Sequence, residues 1–553
     1  MSPIRTQANA ASPSLADVGR PSKRAIVAHR HQHGLALGVA AATLTMMTWG
    51  VGRPALWLDE SASVIATQRT WAGLWVLLSG TDAPLVPYYA LLKAASSAVT
   101  SIAPGSAASP EVLFRWPSVA VTVLAAWALT LWLARRCPPE LAISTGALLL
   151  ATGSFSRYAQ EARPYAFVLA AAVACTILWT RLIRDRRRRW VVLYALALAS
   201  LIAAHLLAAS LVLAHLVAAA VTSCRGNRRS GVLRTSGAAA LGLLVVSPIA
   251  VTAALHGQGP RLMGSLPAYV PPGLVDAFTE GGVLALGLGV GSALAVCVAR
   301  SVRPRYQFIA RLAVAWAVVP LAVLFPLVLL RPTLLRGRYI MFVLPGWAIL
   351  GGLSIAILMD LAGRALARLG DRTGPEGAPL RGLLITAATY GVGVLAVAGV
   401  VAGQVDTLRG IRTPGGHGED IRPALAAANR KEYARLPIVV SPPNNSLEIA
   451  AYARAEEHRL AGVHIHRDEP SIWPRVDPPT RRKHYLRQHV RVVLLLKAAR
   501  TEDCRWSPRR PPAAYVSRCL PKPLRERAYQ VESAEAGGRE WTFAVLTYYP
   551  PDV

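Results

Sequence analysis

The sequence predicts an all-α polytopic membrane protein of about eleven transmembrane helices, followed by a soluble C-terminal α/β domain. Three observations lead there. Of 553 residues, 53% are hydrophobic and only 16% are charged, against roughly 25% charged in an average soluble domain. The apolar residues fall in blocks of about 18 to 22, the length a helix needs to cross a hydrocarbon core. The basic residues behind the net charge of +30 cluster between those blocks, as at Arg186–Arg189 and at Arg225, Arg228 and Arg229. Cytoplasmic loops look like this under the positive-inside rule, so the charge is read as topology and no nucleic-acid partner is expected.

The charged loops fix the order of elements. Residues 1–33 are polar and basic and are read as a cytoplasmic N-terminus ahead of an uncleaved signal anchor at about 34–51. Residues 52–111 then form an outer loop. Within it, 84–103 carries two prolines and Lys93, and is expected to lie along the outer surface; counting it as a span would invert every later loop charge. Further spans are expected near 113–133, 140–156, 165–182, a tight pair within 190–222 with His205 at its outer apex, then 235–255, 277–298, 311–330, 339–359 and 383–403. The whole stretch 34–403 is one membrane domain in the plasma (inner) membrane. Odd parity leaves 404–553 outside the cytoplasm.

That tail turns rich in charge and proline, with β-type runs at 437–441, 491–496 and 541–548 and helix-like stretches at 419–433 and 445–456. None of the six cysteines has a zinc or redox spacing. Cys504 and Cys519 could close a disulfide in an extracytoplasmic tail.

Charges near the bilayer are costly, so those at the outer ends of spans are informative. Trp57-Leu58-Asp59-Glu60 places two carboxylates just after the first span. They suit a general base or a cation site, and equally a cap on a helix through 60–68. Asp82 ends the outer loop and is either a cap or part of the same site. Ser156 to Tyr165 packs Arg157, Tyr158, Gln160, Glu161, Arg163 and Tyr165 into one short outer hairpin. Interfacial anchoring explains the tyrosines and arginines but does not require Gln160 or Glu161. Arg331, Arg336, Arg338 and Tyr339 lie outside against the positive-inside bias, and guanidinium forks there call for an anion: a substrate phosphate or a lipid headgroup. His205 carries the weakest signal of the set.

The ordered set WLDE (57–60), Asp82 with PLVPYY (84–89), SRYAQEARPYA (156–166) and GRYIMFVLP (337–345) resembles the GT-C fold glycosyltransferases. The likeness is to their bacterial mannosyltransferase-like, protein-mannosyltransferase-related branch, and GEDIRPALAAANR (418–430) before PIVVSPPNNS (437–446) is similar to the soluble domain of that branch. The resemblance implies transfer of a sugar, mannose or similar, from a polyprenyl-phosphate carrier to an envelope lipid, glycan or protein acceptor on the outer face, usually with inversion. It implies an acidic base in the first outer loop, here Asp59 with Glu60 beside it, and a second acidic residue in the next outer loop. There the usual aspartate is absent and Gln160-Glu161 stands instead. Donor or substrate contacts would come from Asp82, Lys93, Arg157, Tyr158, Gln160, Glu161, Arg163, Tyr165, His205, Arg336, Arg338 and Tyr339.

The chemistry fits the residues directly. Inverting transfer needs one base for the acceptor hydroxyl and cations for the departing lipid phosphate. No nucleotide fingerprint is present and no nucleotide cofactor is expected; a divalent metal stays open. A lipid or polymer transporter would carry inverted repeats and broken helices near the midplane. Neither is evident, since the polar groups gather at the outer face. A non-catalytic envelope scaffold is the third class.

Overall fold

The computed structural model describes residues 23–102, 109–222, 228–256, 304–330, 337–370, 378–431, 433–441, 443–477, 492–499, 529–530 and 541–548. The span expected at 277–298 and the Cys504–Cys519 pair lie outside the described residues. Six described helices are long and apolar enough to cross a membrane: Pro110–Ala134, Tyr165–Arg184, Arg228–Thr252, Tyr306–Pro326, Leu344–Leu369 and Leu380–Ile411. Pro139–Ala151 and Leu206–Thr222 are shorter apolar helices. The chain is thus mostly helical and polytopic, and the outer faces of its bundle stay apolar, with Leu244, Leu383, Val394 and Leu395 all exposed. Such faces fit lipid, where every backbone polar group must bond within its own helix.

In chain order the helices are α1 (Lys23–Thr48), α2 (Leu58–Thr67), α3 (Trp71–Val76), α4 (Val86–Ile102), α5 (Pro110–Ala134), α6 (Pro139–Ala151), α7 (Gly153–Gln160), α8 (Tyr165–Arg184), α9 (Arg188–Ala204), α10 (Leu211–Thr222) and α11 (Arg228–His256). After the undescribed stretch come α12 (Pro304–Leu330), α13 (Leu344–Gly370) and α14 (Ala378–Ile411), then α15 (Arg422–Ala428) and α16 (Ser446–Tyr452) in the tail.

Two helix breaks position functional side chains. The span expected at 140–156 is not continuous: Thr152 turns extended (φ −82°, ψ 123°), so α6 stops and α7 restarts at an angle, carrying Arg157, Tyr158 and Gln160. The predicted pair within 190–222 is present. Extended backbone at His205 (φ −161°, ψ 112°) ends α9, and a 3₁₀ turn at Leu206–Ser210 leads into α10.

The expected surface helix at 84–103 is α4, and it does not stand alone. Val86, Tyr88, Tyr89 and Leu92 of α4 pack with Ala62, Ile65 and Ala66 of α2 and with Leu447 and Ala450 of α16 in one buried cluster. The segment that holds α2 and α4 and the tail therefore share a core. Each fully buried aliphatic side chain there contributes about 1.5–3 kcal/mol if water is the alternative. Arg69 reinforces the join: its guanidinium, 1% exposed, donates to the carbonyls of His466 and Glu469 at 3.0 and 2.7 Å. Gly80 marks the closest approach, because a Cβ there would sit 1.6 Å from the Pro470 carbonyl oxygen.

The tail's four-stranded sheet has the order β1 (Ile438–Ser441), β4 (Val492–Ala499), β6 (Trp541–Tyr548), β5 (Tyr529–Gln530). β1 runs parallel to β4, while β6 is antiparallel to both neighbours, with Val440 opposite Leu495 and Leu495 opposite Val545. A short antiparallel pair, β2 (Val463–His464) and β3 (Arg475–Val476), lies apart. Three of these strands fall on the β-type runs read from the sequence.

Candidate active site

α2 opens the site. Trp57 holds its N-cap position without a side-chain cap, and Leu58 N instead donates to Glu419 Oε1 at 2.7 Å. The capping alternative for Asp59 is therefore corrected: the cap comes from the tail, and Asp59 lies in the first turn with its side chain free to face other elements. Asp59 Oδ2 is 3.9 Å from a terminal nitrogen of Arg163 and 3.9 Å from one of Arg338. These three residues come from the first turn of α2, the α7–α8 turn and the segment before α13. Arg163 also donates to the Asp59 carbonyl at 3.2 Å. The Arg338 guanidinium lies 4.9 Å over the Trp57 ring and 5.3 Å over Tyr339, whose ring is 5.2 Å from His205.

The donors here outnumber the acceptors. Nε of Arg163, Nε of Arg338, Nε1 of Trp57 and Nδ1 of His205 are all buried without a hydrogen-bond partner. A buried orphan donor costs about 1–3 kcal/mol. One carboxylate facing two guanidinium groups also leaves a positive balance. Burial and the charges of Arg338 and Arg163 push His205 down to about 4, so it is neutral at pH 7. Tyr165 is buried beside the cluster, edge-on to Tyr158 at 5.8 Å.

Glu60, one residue on, is in a different environment. It is 0% exposed, and Arg115 donates to its two oxygens at 2.8 and 2.6 Å. Ala162 N adds a bond at 2.7 Å. The remaining Arg115 donors go to the carbonyls of Val51, Pro54 and Ala55. Burial would raise the Glu60 carboxyl, but Arg115 overrides it and holds the group well below the usual carboxylate range. His417 closes the knot, with Nδ1 3.2 Å from Arg115 Nη2 and 3.7 Å from Glu60 Oε2. Burial and Arg115 push His417 down to about 4, so its ring is neutral at pH 7.

The other sequence-derived candidates divide. Glu161 is fully buried, 3.4 Å from Arg157 Nε, with Oε2 unpartnered; burial, against the pull of Arg157, lifts it to about 7. Arg157 also donates to the His417 carbonyl at 3.1 Å. Asp82 is buried and raised by that burial, and it accepts from Ile472 N at 3.2 Å while sensing the charge of Arg163. Lys93 is not brought to the cluster: its ammonium donates to the Thr67 and Arg69 carbonyls at 2.8 and 2.7 Å, finishing the C-terminal end of α2. Gln160 likewise turns away, donating to the Met47 carbonyl at the end of α1 at 2.7 Å. Arg336 lies outside the described residues.

Sequence reading missed Arg115, His417 and Glu419. Arg115 had a signal, a charge inside an expected span. His417 and Glu419 had none, because their partners lie 302 and 361 residues away in the chain.

Beside the cluster an apolar cavity of about 590 Å³ opens between α4, α5, α8, α9 and α11, lined among others by Tyr88, Leu91, Pro164, Phe167, Ala203 and Ile249. Pro164 adjoins Arg163, so polar cluster and apolar cavity meet at the α7–α8 turn. No three His, Cys, Asp or Glu residues converge as a metal site among the described residues.

No protein-family model and no curated protein matches the chain. Solved structures do. The apo crystal structure of ArnT from Cupriavidus metallidurans superposes with a TM-score of 0.52 at 14% identity, covering 93% of this chain and 98% of that one. The same protein bound to undecaprenyl phosphate gives 0.51, with the same identity and coverage. An oligosaccharyltransferase from Archaeoglobus fulgidus gives 0.49 at 11% identity, over 92% of this chain and 74% of that one. The chain is thus a multi-pass membrane protein of GT-C-like fold.

Proposed function

We propose that the protein is an inverting membrane glycosyltransferase that moves a sugar from a polyprenyl-phosphate donor to an envelope lipid, glycan or protein acceptor. The observation that carries this reading is Asp59 held between Arg163 and Arg338, with unpaired Nε donors on both arginines and an apolar cavity lined by Pro164, the residue next to Arg163. The undecaprenyl phosphate bound to ArnT supports the same donor class here. Mannose or a related sugar remains the expectation from the motif resemblance.

In this reading Asp59 takes the acceptor hydroxyl proton as that oxygen attacks the anomeric carbon. The bond from that carbon to the phosphate oxygen breaks on the opposite side, and configuration inverts. The charge gathering on the leaving phosphate falls to Arg163 and Arg338, with His205 and Trp57 as neutral donors. The prenyl chain lies in the apolar cavity. Glu60 is a positioning residue whose oxygens are committed to Arg115 and Ala162 N. Residues 1–33 are cytoplasmic, 34–403 form the catalytic membrane domain, and 404–553 lie outside.

The test is Asp59→Asn in membranes supplied with labelled polyprenyl-phosphate sugar. A loss of about 10²- to 10⁴-fold in transfer at normal expression is expected. Near-normal transfer by well-folded variant overturns the assignment.

A further inference from the structure

The far end of the bundle carries a second cationic cluster that this chemistry does not use. Arg115 and Arg136 are separated by about 30 Å along the axis of α5, at 1.5 Å per residue. Arg135 and Arg136 follow the end of α5, and Arg181 and Arg184 occupy the last turn of the adjoining α8. The Arg136 guanidinium lies 4.9 Å over the Trp132 ring and donates to the Trp132 carbonyl at 3.1 Å, while its Nε is buried without a partner. Arg184 lies 5.1 Å over Phe308, and Arg181 lies 5.9 Å over Trp190.

Among the described residues, the acidic side chains near this group are engaged elsewhere. Asp185 turns to Arg187 at 3.7 Å and to the Trp190 indole at 2.8 Å, and Glu140 accepts from Tyr390 at 2.9 Å. Burial, with the like charges of Arg184 and Arg181 adding to it, pushes Arg136 down to about 10.

We propose that Arg136, Arg181 and Arg184 bind the phosphate of an anionic phospholipid in the leaflet opposite the Asp59 pocket. Guanidinium groups already stacked on aromatic rings lose little freedom when they grip a phosphate. The half-buried Trp190 marks the depth at which headgroups sit. Below Trp190, the exposed Val192, Leu193 and Leu196 of α9 offer an apolar strip for the acyl chains. A soluble anion would leave that strip unused, so the lipid is the occupant the geometry favours.

The full-length protein, delipidated in neutral detergent, is titrated with mixed micelles of phosphatidylglycerol or phosphatidylcholine, and retained lipid is counted by native mass spectrometry. Wild type should retain phosphatidylglycerol selectively. Arg181→Gln/Arg184→Gln, at exposed positions, should fold normally and lose at least about tenfold in phosphatidylglycerol retention, with phosphatidylcholine unchanged. Adding Arg136→Gln should deepen the loss, and Arg187→Gln/Arg188→Gln should leave retention as it was. Equal retention in wild type and the Arg181/Arg184 variant overturns the site. An equal fall in the Arg187/Arg188 control reduces it to diffuse surface charge and also overturns it. Displacement of the lipid by equimolar inorganic phosphate rejects a lipid occupant.

Discussion

Asp59 and Glu60 are adjacent in sequence and opposite in circumstance. Asp59 is partly exposed and stands 3.9 Å from two arginines whose remaining donors are unpaired. Glu60 is fully buried, with both oxygens held by Arg115 and one also by Ala162 N. The difference separates chemistry from architecture by hydrogen-bond accounting. A carboxylate whose two oxygens are already held by buried donors has little left for a substrate, whereas an under-paired cationic pocket gains by admitting an anion. The two carboxylates belong to one turn of α2, so the knot around Glu60 fixes the aim of Asp59.

Breaking the knot should have the largest effect on folding. Glu60→Ala leaves Arg115 buried and unpaired and should cost about 3–5 kcal/mol. Melting in detergent reads this, while Asp59→Asn should leave the midpoint near wild type. If the two variants melt alike, the division of labour between them is wrong.

Arg338→Ala should lower transfer by about 10²- to 10³-fold at saturating acceptor, as loss of one preorganised charge-stabilising group does. Initial rates against donor concentration check this. Unchanged donor dependence would remove Arg338 from the phosphate site.

Glu161 gives a pH signature. Its folded-state value, about 7, is raised above the ordinary carboxylate value of 4.5. Its contribution is therefore fully present below the ordinary value and is lost as pH rises through about 7. Glu161→Gln should flatten the melting profile between those limits. A wild-type profile that shows no such fall over that range would contradict the protonated, buried carboxyl.

Glu419→Ala should have the smallest effect, about 1 kcal/mol of stability from loss of the bond to Leu58 N. Because that bond sets the first turn of α2, kcat should fall more than donor KM rises. Rescue by Glu419→Gln, which keeps an acceptor, would locate the effect in the hydrogen bond; equal loss in both variants would not.

Much of the site was legible because lipid is a strict solvent. Asp59, Arg163 and Arg338 were recognisable as charges a bilayer edge does not carry without a reason. Lys93 and Gln160 carried the same signal and proved to be caps, on α2 and α1, since a composition rule cannot tell a helix-end carbonyl from a substrate as the partner. The break at Thr152 left a weak signal, Thr152-Gly153-Ser154 directly after the apolar run 147–151, but an isolated Gly is tolerated within a span and so does not by itself end one.

The amino-acid sequence alone determined the helical membrane class, the places of six long apolar helices and the strand runs of the tail, because these depend on local hydropathy and periodicity. Tertiary structure decided which carboxylate is under-paired, which cations face it, and that the tail caps α2 from 361 residues away. Those outcomes depend on contacts between elements far apart in the chain, and one chain's residue pattern carries no record of which distant groups will meet.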